Sequence, residues 1–124
     1  MSAKGILRVA EGGLLMFWCP GCDGAHSVRV GEGAGPRWGF NGDYDRPTFT
    51  PSVLVRSGHH IPEQAGKPCW CSYNAEHPER PAPFTCTVCH SFVTDGQIQF
   101  LTDSTHALAG QTVPVPVFDE ACAA

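Results

Sequence analysis

Apolar residues along this chain come in short bursts, not in helical periods. Ile6 to Val9 and Leu14 to Trp18, separated by Gly12-Gly13, read as two strands of a hairpin. His26 to Val30 is a third strand candidate, and Trp38 to Phe40 a brief one ahead of the Asn41-Gly42 turn signal. Phe49 to Arg56 follows as another, but Pro51 has no N–H to give to a ladder and restricts this strand to an edge or a bulge. The clearest pattern is Ser91 to Leu101, where alternating apolar residues flank Asp95-Gly96, a dipeptide that suits a two-residue hairpin turn. Asp103 then caps a single helical turn through Ala107 and Leu108 that stops at Gly110, and Val113 to Phe118 leads out extended.

Between residues 57 and 83 this patterning dissolves into prolines, polar residues and clustered Cys and His. A polar stretch of that length stays ordered in a small domain only if something other than an apolar core holds it, so it reads as a loop insertion stabilised by metal. The chain has 124 residues, enough for one core and too few for two. With Gly 14 and Pro 11 it is rich in turns and leaves little room for long helices. The expected fold is therefore mostly β: a small single domain over 1–124, with a zinc-ribbon-like antiparallel sheet and the zinc-stabilised insertion at 57–83.

Charge narrows the partners. The net charge is −4 with only 8 Lys and Arg, which disfavours nucleic acid, because phosphate binding needs clustered cations. Met1 to Val9 lacks the apolar run of a secretory signal, and no segment reaches the ~20 apolar residues of a membrane span. A soluble, cytoplasmic protein is expected, and in a reducing compartment the 7 cysteines point to metal instead of disulfides.

Cys19-Pro20-Gly21-Cys22 follows an apolar strand directly, a spacing that lets two thiolates converge on one ion while turn amides face the sulfurs. Cys86-Thr87-Val88-Cys89 is a second such pair. Either the four share one zinc and leave Cys69 and Cys71 free, or the ligands divide between two zincs. The second arrangement wastes fewer ligands: Cys69, Cys71, His77 and Cys86 close one site within the insertion, and Cys19, Cys22, Cys89 and His106 hold the other. His26 and His90 are the substitutes for His106, although successive strand residues face opposite ways, which counts against His90 beside Cys89. His59-His60 reads as loop decoration. If His106 is not a ligand, then His90, His106, Asp103 and Ser104 could form an acid/base cluster, but no G-x-S-x-G elbow or paired-carboxylate spacing marks an active site.

Several segments together resemble a family of uncharacterised phage and prophage proteins. They are Phe17-Trp18-Cys19-Pro20-Gly21-Cys22, Trp38-Gly39-Phe40-Asn41-Gly42-Asp43, Pro47-Thr48-Phe49-Thr50-Pro51-Ser52, Cys89-His90-Ser91-Phe92-Val93, and His106 through Val113. Members sometimes carry the names ammonia monooxygenase or anaerobic dehydrogenase, for which these residues supply no chemistry. The resemblance implies a phage origin and a place in the infected bacterial host or its virions. Shorter relatives lack the segment with Cys69, Cys71, His77 and Cys86, which by resemblance favours the two-zinc arrangement.

The leading expectation for function is a non-enzymatic interaction module that contacts a host or virion protein, with Trp18, Trp38 and Trp70 as candidate anchors. The alternative is a small zinc-dependent hydrolase using His90 and His106 beside an incompletely ligated zinc.

Overall fold

A computed structural model describes residues 2–123; Met1 and Ala124, the ends of the expected 1–124 domain, lie outside the described residues. The protein is mostly β, as the alternating pattern predicts, and its strands form two antiparallel sheets. The first is a meander of β1 (Ser2–Lys4), β2 (Leu7–Val9), β3 (Leu14–Cys19) and β4 (Gly24–Arg29). The second orders β5 (Gly39–Phe40), β6 (Phe49–Arg56), β7 (Val88–Thr94), β8 (Gln97–Phe100) and β9 (Thr112–Pro114). An isolated parallel bridge between Val30 and Trp38 links the end of the first sheet to the start of the second.

Period-two burial decides what each strand presents. Along β3, Leu15, Phe17 and Cys19 point inward, and along β7, Cys89, Ser91 and Val93 do so while His90 and Phe92 face out. One apolar cluster joins the two sheets. Phe17 stacks on Phe49 with centroids 5.9 Å apart, and Phe49 stacks on Phe40 at 5.4 Å. Because Phe17 is fully buried at this junction, Phe17→Ala should cost about 3–5 kcal/mol, read as a lower midpoint in urea unfolding. A midpoint unchanged from the parent would show that the sheets do not share one core.

The β7–β8 hairpin turns at Asp95-Gly96 with φ of 52° and 77°, the left-handed pair its sequence predicts. Pro51 is accommodated by a bulge, not by an edge position. Between the pairs Phe49–Val93 and Val53–Ser91 the register of β6 shifts, and the extra residues include Pro51 and Ser52.

Three local expectations change. The helical turn after Asp103 is instead a run of hydrogen-bonded turns, such as Ser104 N to Leu101 O at 3.1 Å, because the Asp103 carboxylate is engaged by a histidine and caps nothing. The insertion contains a helix, α1 (Trp70–Glu76), started by a reciprocal cap in which the Cys69 amide donates to Ser72 Oγ at 2.9 Å and the Cys69 sulfur accepts from the Ser72 amide. A second helix, α2 (Phe118–Ala123), packs Phe118 edge-on against Trp18 at 5.7 Å.

Candidate functional site

Among the described residues, two groups of sulfur and imidazole side chains are close enough to hold a metal ion, each with its ligand atoms within 4.8 Å of one another. The first is Cys19, Cys22, His26 and Cys89. Cys19 ends β3, Cys22 follows the Pro20-Gly21 turn, His26 lies on β4 opposite Phe17, and Cys89 comes from β7 in the other sheet. This group therefore ties the two sheets together. The Cys22 amide points at Cys19 Sγ at 3.4 Å, and the Cys19 and Cys89 sulfurs are 3.8 Å apart.

The thiols and imidazole of the first group shift one another's protonation strongly. Hydrogen bonds with Cys22 and Cys89 hold the Cys19 thiol far below the usual range, while the same contact with Cys19 pushes Cys89 far above it. Burial works against a charged His26, yet Cys19 and Cys22 raise it to about 9. Among the described residues, buried His26 Nε2 has no hydrogen-bond partner, and an ion there would satisfy it.

The second group is His59, Cys69, Cys71 and Cys86. Cys69 and Cys71 sit at the start of α1, His59 on a short 3-10 turn after β6, and Cys86 just ahead of β7. Only glycine fits at position 58: its φ is +62°, and a Cβ there would sit 2.1 Å from Cys86 Sγ. The His59 backbone, with help from Cys71 and Cys69, lowers the Cys86 thiol to about 6 despite desolvation.

The histidines of these groups are not the expected His106 and His77 but His26, the named substitute, and His59. His106 lies outside both, with its ring over Gly21, edge-on to Phe100 at 4.4 Å and accepting from the Leu108 amide at 3.2 Å. Gly21 permits this, since a Cβ would come within 2.3 Å of the ring. His77 caps its own helix, stacked on Tyr73 at 4.1 Å with Nδ1 2.9 Å from the Tyr73 carbonyl. His26 and His59 stand in their places. The six cysteines gather as Cys19, Cys22, Cys89 and Cys69, Cys71, Cys86, and the seventh, Cys122, is exposed on α2.

On the opposite face of β7 from Cys89, His90 makes a different constellation. Its Nε2 is 3.0 Å from Ser52 Oγ, and its Nδ1 is 3.0 Å from Asp103 Oδ2. Ser52 comes from the β6 bulge, where the Trp38 indole N–H donates to its carbonyl at 3.3 Å. The His90 backbone is gripped from the other side. Its amide donates to Ser104 Oγ at 3.1 Å, and its carbonyl accepts from the Leu101 amide at 2.9 Å and the Ser104 hydroxyl at 3.2 Å. This grip sets the turn that carries Asp103 beside the ring. The imidazole is 24% exposed and opens onto a depression of about 470 Å³ lined in part by Gln99, Leu101, Thr102 and Gly110.

A hydroxyl, an imidazole and a carboxylate linked in that order can make the oxygen a nucleophile. Sequence reasoning grouped His90 with Asp103 but missed Ser52, which sits in no elbow motif. The signal available was Pro51 inside a strand: a bulge there points the next side chain out of the alternation.

A model of the family described as "Bacterial ubiquitination-like system serine protease (BubE)" matches residues 1–101. Ser52 and His90 lie inside the matched span, and Asp103 lies just beyond it. No curated protein and no solved structure matches the chain.

Proposed function

The chain belongs to the bacterial ubiquitination-like system serine protease (BubE) family, and we propose that it is itself a serine protease, with Ser52 as nucleophile, His90 as general base and Asp103 as the carboxylate that orients it. The observation that carries this reading is the unbroken hydrogen-bonded path from Ser52 Oγ through both His90 ring nitrogens to Asp103 Oδ2. Asp103 accepts from Nδ1–H, which leaves the Nε2 lone pair facing the serine. Ser52 Oγ attacks a substrate carbonyl carbon while His90 Nε2 takes the hydroxyl proton. The C–N bond then breaks, His90 gives that proton to the departing amine, and an ester on Ser52 remains. Water, deprotonated by the same nitrogen, cleaves the ester, restores the Ser52 hydroxyl and releases a carboxylate.

The family's setting suggests the bond: a peptide or isopeptide linkage made to a ubiquitin-like protein. A site open at the surface of a sheet suits a protein chain better than a small enclosed ligand. Exposed Trp70, Tyr73 and Phe84 support a protein partner, whether that substrate or the host or virion protein suggested by the sequence. Catalysis is favoured over a purely non-enzymatic role because a capping or packing function would not require Ser52 and Asp103 on the two ring nitrogens of one histidine.

We assign zinc to both Cys/His groups. Tetrahedral zinc with ~2.3 Å bonds to sulfur sets its sulfurs about 3.8 Å apart, which is the Cys19–Cys89 separation of 3.8 Å. Three thiolates and an imidazole would fill the four positions of such an ion and leave none for a reacting water, which favours chemistry at Ser52 over a zinc hydrolase centred on His90 and His106.

A fluorophosphonate probe tests the assignment directly. We expect one covalent adduct, mapped by mass spectrometry to the peptide containing Ser52 and absent from His90→Ala. An adduct on another serine, or none, would overturn it.

A further inference from the structure

The second Cys/His group lies where the two strands of the triad leave the sheet. Strand β6, which carries Ser52, ends at Arg56 and is followed at once by the turn holding His59. Strand β7, which carries His90, is preceded by Cys86. The ribbon between them closes through the Arg56–Val88 pair, Ser57 N to Thr87 O at 2.9 Å, Thr87 N to Ser57 Oγ at 2.9 Å, and the two hydroxyls at 2.8 Å. Those bonds are exposed. Apolar burial adds little here: Leu54 and Phe92 on the outer face are 43% and 42% exposed, and Val55, which pairs with Cys89 on the other face, is 39% exposed. On the other side of this short ladder the register of β6 has already shifted at the bulge. Register is weakly specified where burial is poor, and a displacement of one strand would carry Ser52 away from His90.

We propose that a zinc ion held by His59, Cys69, Cys71 and Cys86 is a clamp on the β6–β7 ribbon, so that the reactivity of Ser52 depends on metal held by the insertion. The inference rests on the serine protease reading for its consequence, but not for the clamp itself. His59 belongs to the exit of one strand and Cys86 to the entry of the other, so one ion bonded to both fixes their separation. Cys69 and Cys71 complete the shell from α1, which couples the folding of the insertion to the geometry of the ribbon. The metal bonds supply what the exposed ladder lacks. Gly58 is the local provision for this: its left-handed backbone brings the turn within reach of the Cys86 sulfur. The four residues here touch no substrate, and their role is to position.

The double variant Cys69→Ser/Cys71→Ser removes two ligands without altering either strand. Bound zinc should fall from two ions to one per chain, the amides of Ser57 and Thr87 should exchange faster with deuterium, and fluorophosphonate labelling of Ser52 should slow at least tenfold, within the ~10²-fold that a misplacement of about 1 Å can cost. Added zinc should not restore the rate. If the variant does not fold, stepwise chelation of the parent replaces it, and the first zinc lost should bring the same changes. Loss of one zinc with exchange and labelling both unchanged would overturn the clamp, as would a parent holding one zinc that the double substitution does not remove. A parent that the probe never labels at Ser52, yet whose Ser57 and Thr87 amides still loosen on zinc loss, would sink the protease reading and leave the clamp standing.

Discussion

Replacing Ser52 by alanine should lower kcat by about 10⁶-fold, since removing a nucleophile that works in a unit with its base costs nearly as much as removing the whole unit. The substitution deletes one oxygen from a half-buried bulge, whose backbone is still held by the Trp38 indole through the Ser52 carbonyl. Stability should therefore change by no more than about 0.5 kcal/mol, and the variant should still bind substrate. Asp103→Asn provides a graded comparison. It disturbs the tautomer that points Nε2 at Ser52, and a loss of up to about 10⁴-fold in kcat is expected, toward the lower part of that range because the Asp103 side chain is 57% exposed and water can partly replace it. Single-turnover cleavage of a ubiquitin-like fusion, with the melting temperature of each variant measured in parallel, checks both. Full activity in Ser52→Ala would remove the serine from the mechanism.

Stripping metal from the first group should unfold the protein. Cys19, Cys22 and His26 belong to one sheet and Cys89 to the other, and among the described residues no disulfide reinforces that joint. A structural zinc of this kind contributes about 10 kcal/mol or more of folding free energy in small zinc-binding peptides, which rivals the ~5–15 kcal/mol net stability of a whole domain. Exhaustive chelation should abolish the cooperative thermal transition seen by circular dichroism, and Cys89→Ser should do the same without chelator. A chain that keeps its transition after its zinc has been removed would show that the aromatic junction of Phe17 and Phe49 suffices.

Much of the fold was legible because it depends on local pattern. Asp95-Gly96 between alternating residues forms the expected hairpin, and β2, β3 and β4 lie close to their expected limits, while β1 was not anticipated. The cysteines divide as the economy of ligands favours and against C-x-x-C spacing, which would keep Cys86 with Cys89; of their histidine partners, His26 stood as a substitute and His59 carried no signal. His26 reaches Cys19 across paired strands, and His59 reaches Cys86 only because the second sheet brings residues far apart in the chain together. The same holds for Ser52 and His90, which meet through the pairing of β6 with β7 and a bulge that sequence marks only by a proline. Helix α1 was hidden by its composition: it buries no residue fully, so it carries no apolar stripe, and it is held by its cap and its cysteines.

During synthesis, Cys19, Cys22 and His26 leave the ribosome well before Cys89, and a zinc bound by those three would keep one position open to water. When β7 arrives it brings Cys89 to that vacancy and presents His90, the very next residue, on the opposite face. On the serine protease reading, shutting the metal to solvent and delivering the base would then be one step of folding, because the strand that closes the zinc is the strand that brings His90 to Ser52.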